Sequence, residues 1–173
     1  MTVEASLVDA AAVEAAAQRL TGVVTTTPLE HNPRLSELRG AHVWLKREDM
    51  QTVRSYKVRG AYNLIAQLDD AARAAGVVAA SAGNHAQGLA YACAALGVHG
   101  RVFLPRTTPR QKRDRIAALG GSAIEIVLEG DTYDEASAAA AAGAARPGAP
   151  QVPAVDDPRT NAGEGTVVHE AGS

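Results

Sequence analysis

Cysteine is nearly missing from this chain: Cys93 is the only one in 173 residues. An intrachain disulfide is therefore excluded, and a reducing, cytoplasmic setting is expected. Aromatic residues are scarce too, at 3%, which leaves no platform for stacking bases. Charge of one sign is also lacking. The net value of −2 gives no electrostatic reason to bind nucleic acid or an anionic membrane surface. No apolar run reaches the roughly 20 residues a membrane-spanning helix needs. No basic stretch followed by an apolar one is read as a secretory signal. What remains is 46% hydrophobic content, enough to bury a core in one domain or slightly more.

The apolar residues alternate between two periods. Asp9 is placed to cap an alanine-rich helix running to about Leu20, and Val23 to Pro28 reads as extended. Val43-Trp44-Leu45 reads as a short strand. After Lys57, the helical spacing of Ala61, Leu64, Ile65 and Leu68 predicts an amphipathic helix. Val77 to Ala80 reads as a buried strand. Leu89, Ala92, Cys93 and Leu96 mark the inner face of a helix that Gly97 ends. Val102 to Leu104 and Ile124 to Leu128 read as further strands. Between them Thr108-Pro109-Arg110-Gln111 reads as a capping box opening a helix that stops at Gly120-Gly121. Asp131 is expected to cap a helix to about Ala145, and Arg146 to Pro150 to form a loop. Gln151 to Val155 reads as a last strand, and Gly163 to Glu170 as the start of a helix. Short apolar strands alternating with amphipathic helices predict an α/β fold, a parallel sheet with helices on both faces. Such sheets hold ligands beyond the carboxyl ends of their strands, where Ser81 to His85 falls.

Lysine is the rarer base, present only as Lys46, Lys57 and Lys112. A lysine amine can form a Schiff base with an aldehyde cofactor, and arginine cannot replace it there. Ser55-Tyr56-Lys57-Val58-Arg59-Gly60-Ala61 puts one lysine at a helix start. About a helix later, Ser81-Ala82-Gly83-Asn84-His85 offers a Gly-hinged turn whose exposed amides can hold an anion. Together they point to pyridoxal phosphate chemistry on an amino acid. Either segment alone has a plainer reading: a lysine at a helix start is usually solvated, and Asn84 could simply cap a helix. The remaining histidines, His31, His42, His99 and His169, read as surface or satisfied groups, with no cluster to suggest a metal. Cys93 reads as a small packed apolar residue, and Arg110 to Arg115 as a solvated helix face.

With these two motifs in order, the chain resembles the threonine dehydratase (threonine ammonia-lyase) family of fold-type II pyridoxal phosphate enzymes, which are tryptophan synthase β-like. The likeness is close from about Thr27 to Gly130. Lys46-Arg47-Glu48-Asp49, Gln51 and Ser55-Tyr56-Lys57 with Arg59-Gly60-Ala61 look like that family's lysine motif. Ser81-Ala82-Gly83-Asn84-His85-Ala86-Gln87-Gly88 looks like its substrate and cofactor loop. The resemblance implies that Lys57 is catalytic and binds the cofactor, and that Asn84 hydrogen-bonds the cofactor's phenolic oxygen. It implies that Ser81, Asn84 and His85, with nearby amides, bind the substrate carboxylate. Threonine would give 2-oxobutanoate and ammonia, and serine pyruvate, as in isoleucine biosynthesis and related amino acid metabolism. The racemases of the family carry a serine where this chain has Ala82, whose methyl cannot move a proton, so elimination is favoured over racemisation.

The resemblance also divides the chain. Residues 1–50 would be the N-terminal part of a large domain, 51–155 a small α/β domain, and 156–173 a truncated return to the large domain. Near the end the chain departs from the family. Val152-Pro153-Ala154-Val155-Asp156-Asp157 lacks the usual phenylalanine, and Asn161 and Glu164 stand where relatives usually carry isoleucine and glutamine. Ser173 falls early in a helix. The expectation is a truncated product or part of a larger protein, a homo-oligomer when complete in the family's manner, with the cofactor's Gly-rich phosphate loop in the absent half. Two other readings stay open: a non-catalytic fragment with weak or no cofactor binding, and a half-enzyme completed by another chain.

Overall fold

Val77–Ala80 (β3), Gly100–Leu104 (β4) and Ile124–Leu128 (β5) pair in that order as a parallel sheet. Their β-branched and leucine residues alternate between faces, so the sheet must be covered on both sides. In the computed structural model, which describes residues 8–142 and 149–172, this is how the core is built. Val77, Ala79, Val102 and Leu104 face Lys57–Ile65 (α3), Asn84–Leu96 (α5) and Arg110–Gly120 (α6) through Leu64, Ile65, Leu89, Cys93 and Ile116. Val78 and Phe103 face Tyr133–Ala141 (α7) through Ala136 and Ala140. Each fully buried leucine or isoleucine there contributes about 1.5–3 kcal/mol.

The remaining elements wrap this layer. Ala10–Leu20 (α1) is capped by Asp9, as the sequence predicts. Leu29–His31 (β1) and Trp44–Lys46 (β2) form an antiparallel pair around Pro33–Arg39 (α2). Asp70–Ala75 (α4) precedes β3, and Pro158–Ala171 (α8) packs against α1 and α3. No helix among the described residues is long and apolar enough to cross a membrane.

Several boundaries differ from the sequence reading, each for a local reason. Residues 21–24 turn instead of extending, because the amides of Val23 and Val24 close onto Leu20 O. The Thr108 capping box does not form: α6 begins after Pro109, and the Thr108 hydroxyl lies buried without a partner. A turn that donates Thr108 N to Pro105 O directs that residue inward. Thr132, not Asp131, caps α7, in a reciprocal box with Glu135 whose carboxylate also takes the Asp131 amide. The strand expected over Gln151 to Val155 is a single parallel bridge, Val78 to Gln151, because Pro153 has no amide to continue the ladder. Helix α8 starts at Pro158 behind an Asp157 cap, five residues before Gly163. The end of the helix predicted to Ala145, and the Arg146 to Gly148 part of the loop, lie outside the described residues.

The bridge matters for function. From β3 the chain winds to β4 and β5 with α5 and α6 on one face. It then returns with α7 on the other face to lie beside β3. The direction of winding reverses between β3 and Gln151. A reversal of this kind opens a crevice at the carboxyl ends of the strands.

Candidate active site

Lys57 is the first residue of α3, and α3 is held by its neighbour two positions on. The Arg59 side chain is wholly buried. It donates Nε and Nη2 to the two oxygens of Glu48, both at 2.9 Å. Its Nη1 reaches Glu170 Oε1 at 2.7 Å and Thr166 Oγ1 at 3.1 Å. Lys46 donates to the other Glu170 oxygen at 2.7 Å, and Thr27 Oγ1 to Glu48 at 2.7 Å. Two cations face two carboxylates in one satisfied network that ties residues 27–48 and α8 to α3. Burial opposes ionisation of Glu48 and Glu170. Arg59 outweighs it at both carboxyls, aided by Thr27 at Glu48 and by Lys46 at Glu170, and holds them below the usual carboxylate range.

Two close helix crossings set the position of Lys57. A Cβ on Gly88 would stand 2.8 Å from Lys57 O, so α5 can cross the start of α3 only with glycine there. A Cβ on Gly163 would stand 2.5 Å from Arg59 O, which admits α8 equally close on another side. Asn84 lies one turn before Gly88, on the same face of α5. No side chain caps the N-terminus of α5, which starts at Asn84 after Gly83, and a Cβ on Gly83 would meet nothing.

The segment after the bridge completes the site. Lys57 Nζ donates to Ala154 O at 2.9 Å and to Glu164 Oε1 at 2.7 Å. Its ammonium also sits 5.0 Å from the centre of the Tyr56 ring. His85 Nε2 lies 2.8 Å from Val152 O. A carbonyl only accepts, so Nε2 carries the proton and Nδ1, which has no partner, carries a lone pair. Burial first, and then the Lys57 charge, lower the proton affinity of this imidazole against the bond to Val152. Thus Lys57 and His85 reach carbonyls two residues apart, at the crevice where the winding reverses. Ala154 also lines a cavity of about 280 Å³ with Ala80, Tyr133, Ser137, Gln151 and Asp156.

Of the residues singled out in the sequence, Lys57 is a shielded amine at this crevice. Ser81 follows β3, its hydroxyl accepting from the Gly83 amide at 3.3 Å. Asn84 is exposed at the mouth of the turn, and the His85 imidazole is turned into the core. The donor set is an amine, an uncapped helix start and a bare Gly turn; two residues before the amine, the buried Ser55 hydroxyl has no partner. That set suits an anionic aldehyde. Sequence reasoning missed Ala154 O, Glu164 and the network role of Lys46, Glu48 and Arg59. Glu164 had a signal, since it breaks the pattern of the resemblance. Arg115, expected in solvent, donates to Gln87 Oε1 at 2.8 Å and Thr52 O at 3.2 Å, joining α6 to α5.

Known proteins match this chain in sequence and in fold. The family model described as "Pyridoxal-phosphate dependent enzyme" matches residues 20–172. The biosynthetic L-threonine dehydratase IlvA of Mycobacterium tuberculosis H37Rv is 60% identical over 158 residues, covering 91% of this chain and 37% of the relative. The processed form of threonine deaminase isoform 2 from Solanum lycopersicum superposes with a TM-score of 0.81 at 38% identity, over 94% of this chain and 46% of that one. Maize serine racemase superposes with a TM-score of 0.86 at 28% identity, over 94% and 49%. The chain thus spans well under half the length of the curated relative.

Proposed function

The chain belongs to the pyridoxal-phosphate dependent enzymes, and from that premise we propose that its protein is a threonine/serine ammonia-lyase with Lys57 as the cofactor lysine. The observation that carries this reading is the convergence of the Lys57 amine, the uncapped start of α5 and the Val152 to Ala154 carbonyls at one crevice. Bound there, pyridoxal phosphate supplies an aldehyde for an amine to engage and an electron sink for a carbanion at the substrate α-carbon.

This chain's own residues do the rest. Lys57 Nζ would hold the aldehyde and would move a proton between the substrate α-carbon and the departing β-hydroxyl. The amides at the start of α5, with Ser81 and the Asn84 side chain, receive the substrate carboxylate, as a helix N-terminus favours. His85 joins them through its backbone N–H, because its ring is spent on Val152 O. Asn84 would also hold the phenolic oxygen of the cofactor. Ala82 offers no acid or base on the face opposite Lys57, which supports elimination over racemisation even though a racemase shares the fold. The division into residues 1–50, 51–155 and 156–173 belongs to the same proposal. Its support is that the parallel sheet, Lys57 and the Ser81 turn all fall within 51–155.

Borohydride reduction of the protein with pyridoxal phosphate, followed by peptide mass mapping, tests the lysine. The pyridoxyl group is expected on Lys57, and modification chiefly at Lys46 or Lys112 overturns the assignment. Incubation of the active protein with L-serine tests the reaction. Pyruvate with little D-serine is expected, and comparable D-serine refutes the role given to Ala82.

A further inference from the structure

Lys57 can attack an aldehyde only as a neutral amine, yet its Nζ is paired with a carboxylate. The Glu164 oxygen lies 2.7 Å away, and the two side chains are only 16% and 18% exposed, so water and salt screen the pair weakly. Ala154 O takes a second N–H at 2.9 Å. A Cβ on Gly60 would meet the Glu164 Cγ at 3.0 Å, so the stem of Glu164 lies against the backbone of α3. The other titratable groups that interact with Nζ are His85, from α5, and Tyr56, the residue just before α3.

We propose that Glu164 is a latch on Lys57: it holds the amine as an ammonium turned toward α8 and Ala154, and aldehyde capture requires that this ion pair open. The inference rests on the reading of Lys57 as the cofactor lysine, and it makes Glu164 a positioning residue. The step balances with solvent once the pair has opened. Nζ gives one proton to water, and its lone pair then attacks the aldehyde carbon. A second N–H proton moves to the carbonyl oxygen, and the C–O bond breaks as a proton from solvent joins that oxygen and it leaves as water. A C=N bond replaces C=O, the nitrogen keeps one proton, and Glu164 remains a carboxylate throughout.

The test is the rate of pyridoxal phosphate capture, quenched with borohydride at set times and read by mass mapping at Lys57 across pH. Removing the negative charge should favour the neutral amine. Glu164→Gln is therefore expected to speed capture at pH 7 by about tenfold, the scale of one charged hydrogen bond. Its rate should also rise at lower pH than in the parent. Glu164→Ala, a second neutral variant, should accelerate as well, and Glu164→Asp, which keeps the charge, should follow the parent. A merely structural role predicts slower capture in the neutral variants. Neutral variants at or below the parental rate, or with an unmoved pH profile, overturn the latch. Label absent from Lys57 in every protein overturns the cofactor-lysine reading and the latch with it.

Discussion

Arg59 and Lys57 sit two residues apart in the first turn of α3, and each faces a carboxylate from α8. Arg59 has two carboxylates and a hydroxyl around a guanidinium with no exposure. Lys57 has one carboxylate and one carbonyl, and it borders the uncapped start of α5 and the unpartnered His85 Nδ1. The chemistry of the two pairs is alike, but their settings are not. A closed network with every donor met is committed to the fold. A cation with replaceable partners beside unmet polar groups is free to act.

The largest effect expected from this contrast is at Arg59. Arg59→Met leaves Glu48 and Glu170 buried near each other with only Lys46 to neutralise them, and should cost about 3–5 kcal/mol in urea unfolding. A cost below about 1 kcal/mol would mean that water already relieves the network. Acid should weaken the same region without mutation. Glu48 and Glu170 are held below their ordinary 4.5, so the stability they confer is full above that value and is lost as pH falls below it. His85, lowered from 6.5, adds a milder loss of the same sign that begins as pH falls through that ordinary value, because the unfolded imidazole takes its proton first. Urea midpoints measured from pH 8 to pH 3 should therefore sag below about 6.5 and drop more steeply below about 4.5. A midpoint that rises on acidification contradicts both assignments.

Gly88→Ala moves the test to the crossing itself. The added methyl meets the Lys57 carbonyl and should cost about 1–3 kcal/mol, with a matching loss of pyridoxyl labelling at Lys57. Full labelling in that variant would show that the close crossing does not set the lysine's position. The smallest effect is expected at Lys57. Lys57→Met should lose only about 1 kcal/mol while abolishing the label. A penalty as large as that of Arg59→Met would erase the distinction between the two pairs.

Much of this was legible in the chain. Val77 to Ala80 and Ile124 to Leu128 are strands over the predicted residues, because a short apolar run bounded by polar or glycine residues has few other ways to bury itself. Lys57 opens its helix as expected. Helix α2 was overlooked although its Asn32 cap, Pro33 and closing Gly40 are all in the sequence. Thr108 and Asp131 misled because a polar residue before a helix is a cap only if its side chain turns back onto the first amides, which neither does.

By itself the sequence determined the alternation of strands and helices, the two motifs, and the choice of lysine over arginine at position 57. Those depend on local periodicity and on the chemistry of single side chains. Only the tertiary structure decided that Arg59, Glu48 and Lys46 serve the fold, that His85 looks inward, and that Glu164 meets Lys57 across 107 positions of chain. Pairings of that kind arise where glycines let helices cross at backbone contact. No period along the chain records which residues such a crossing will bring together.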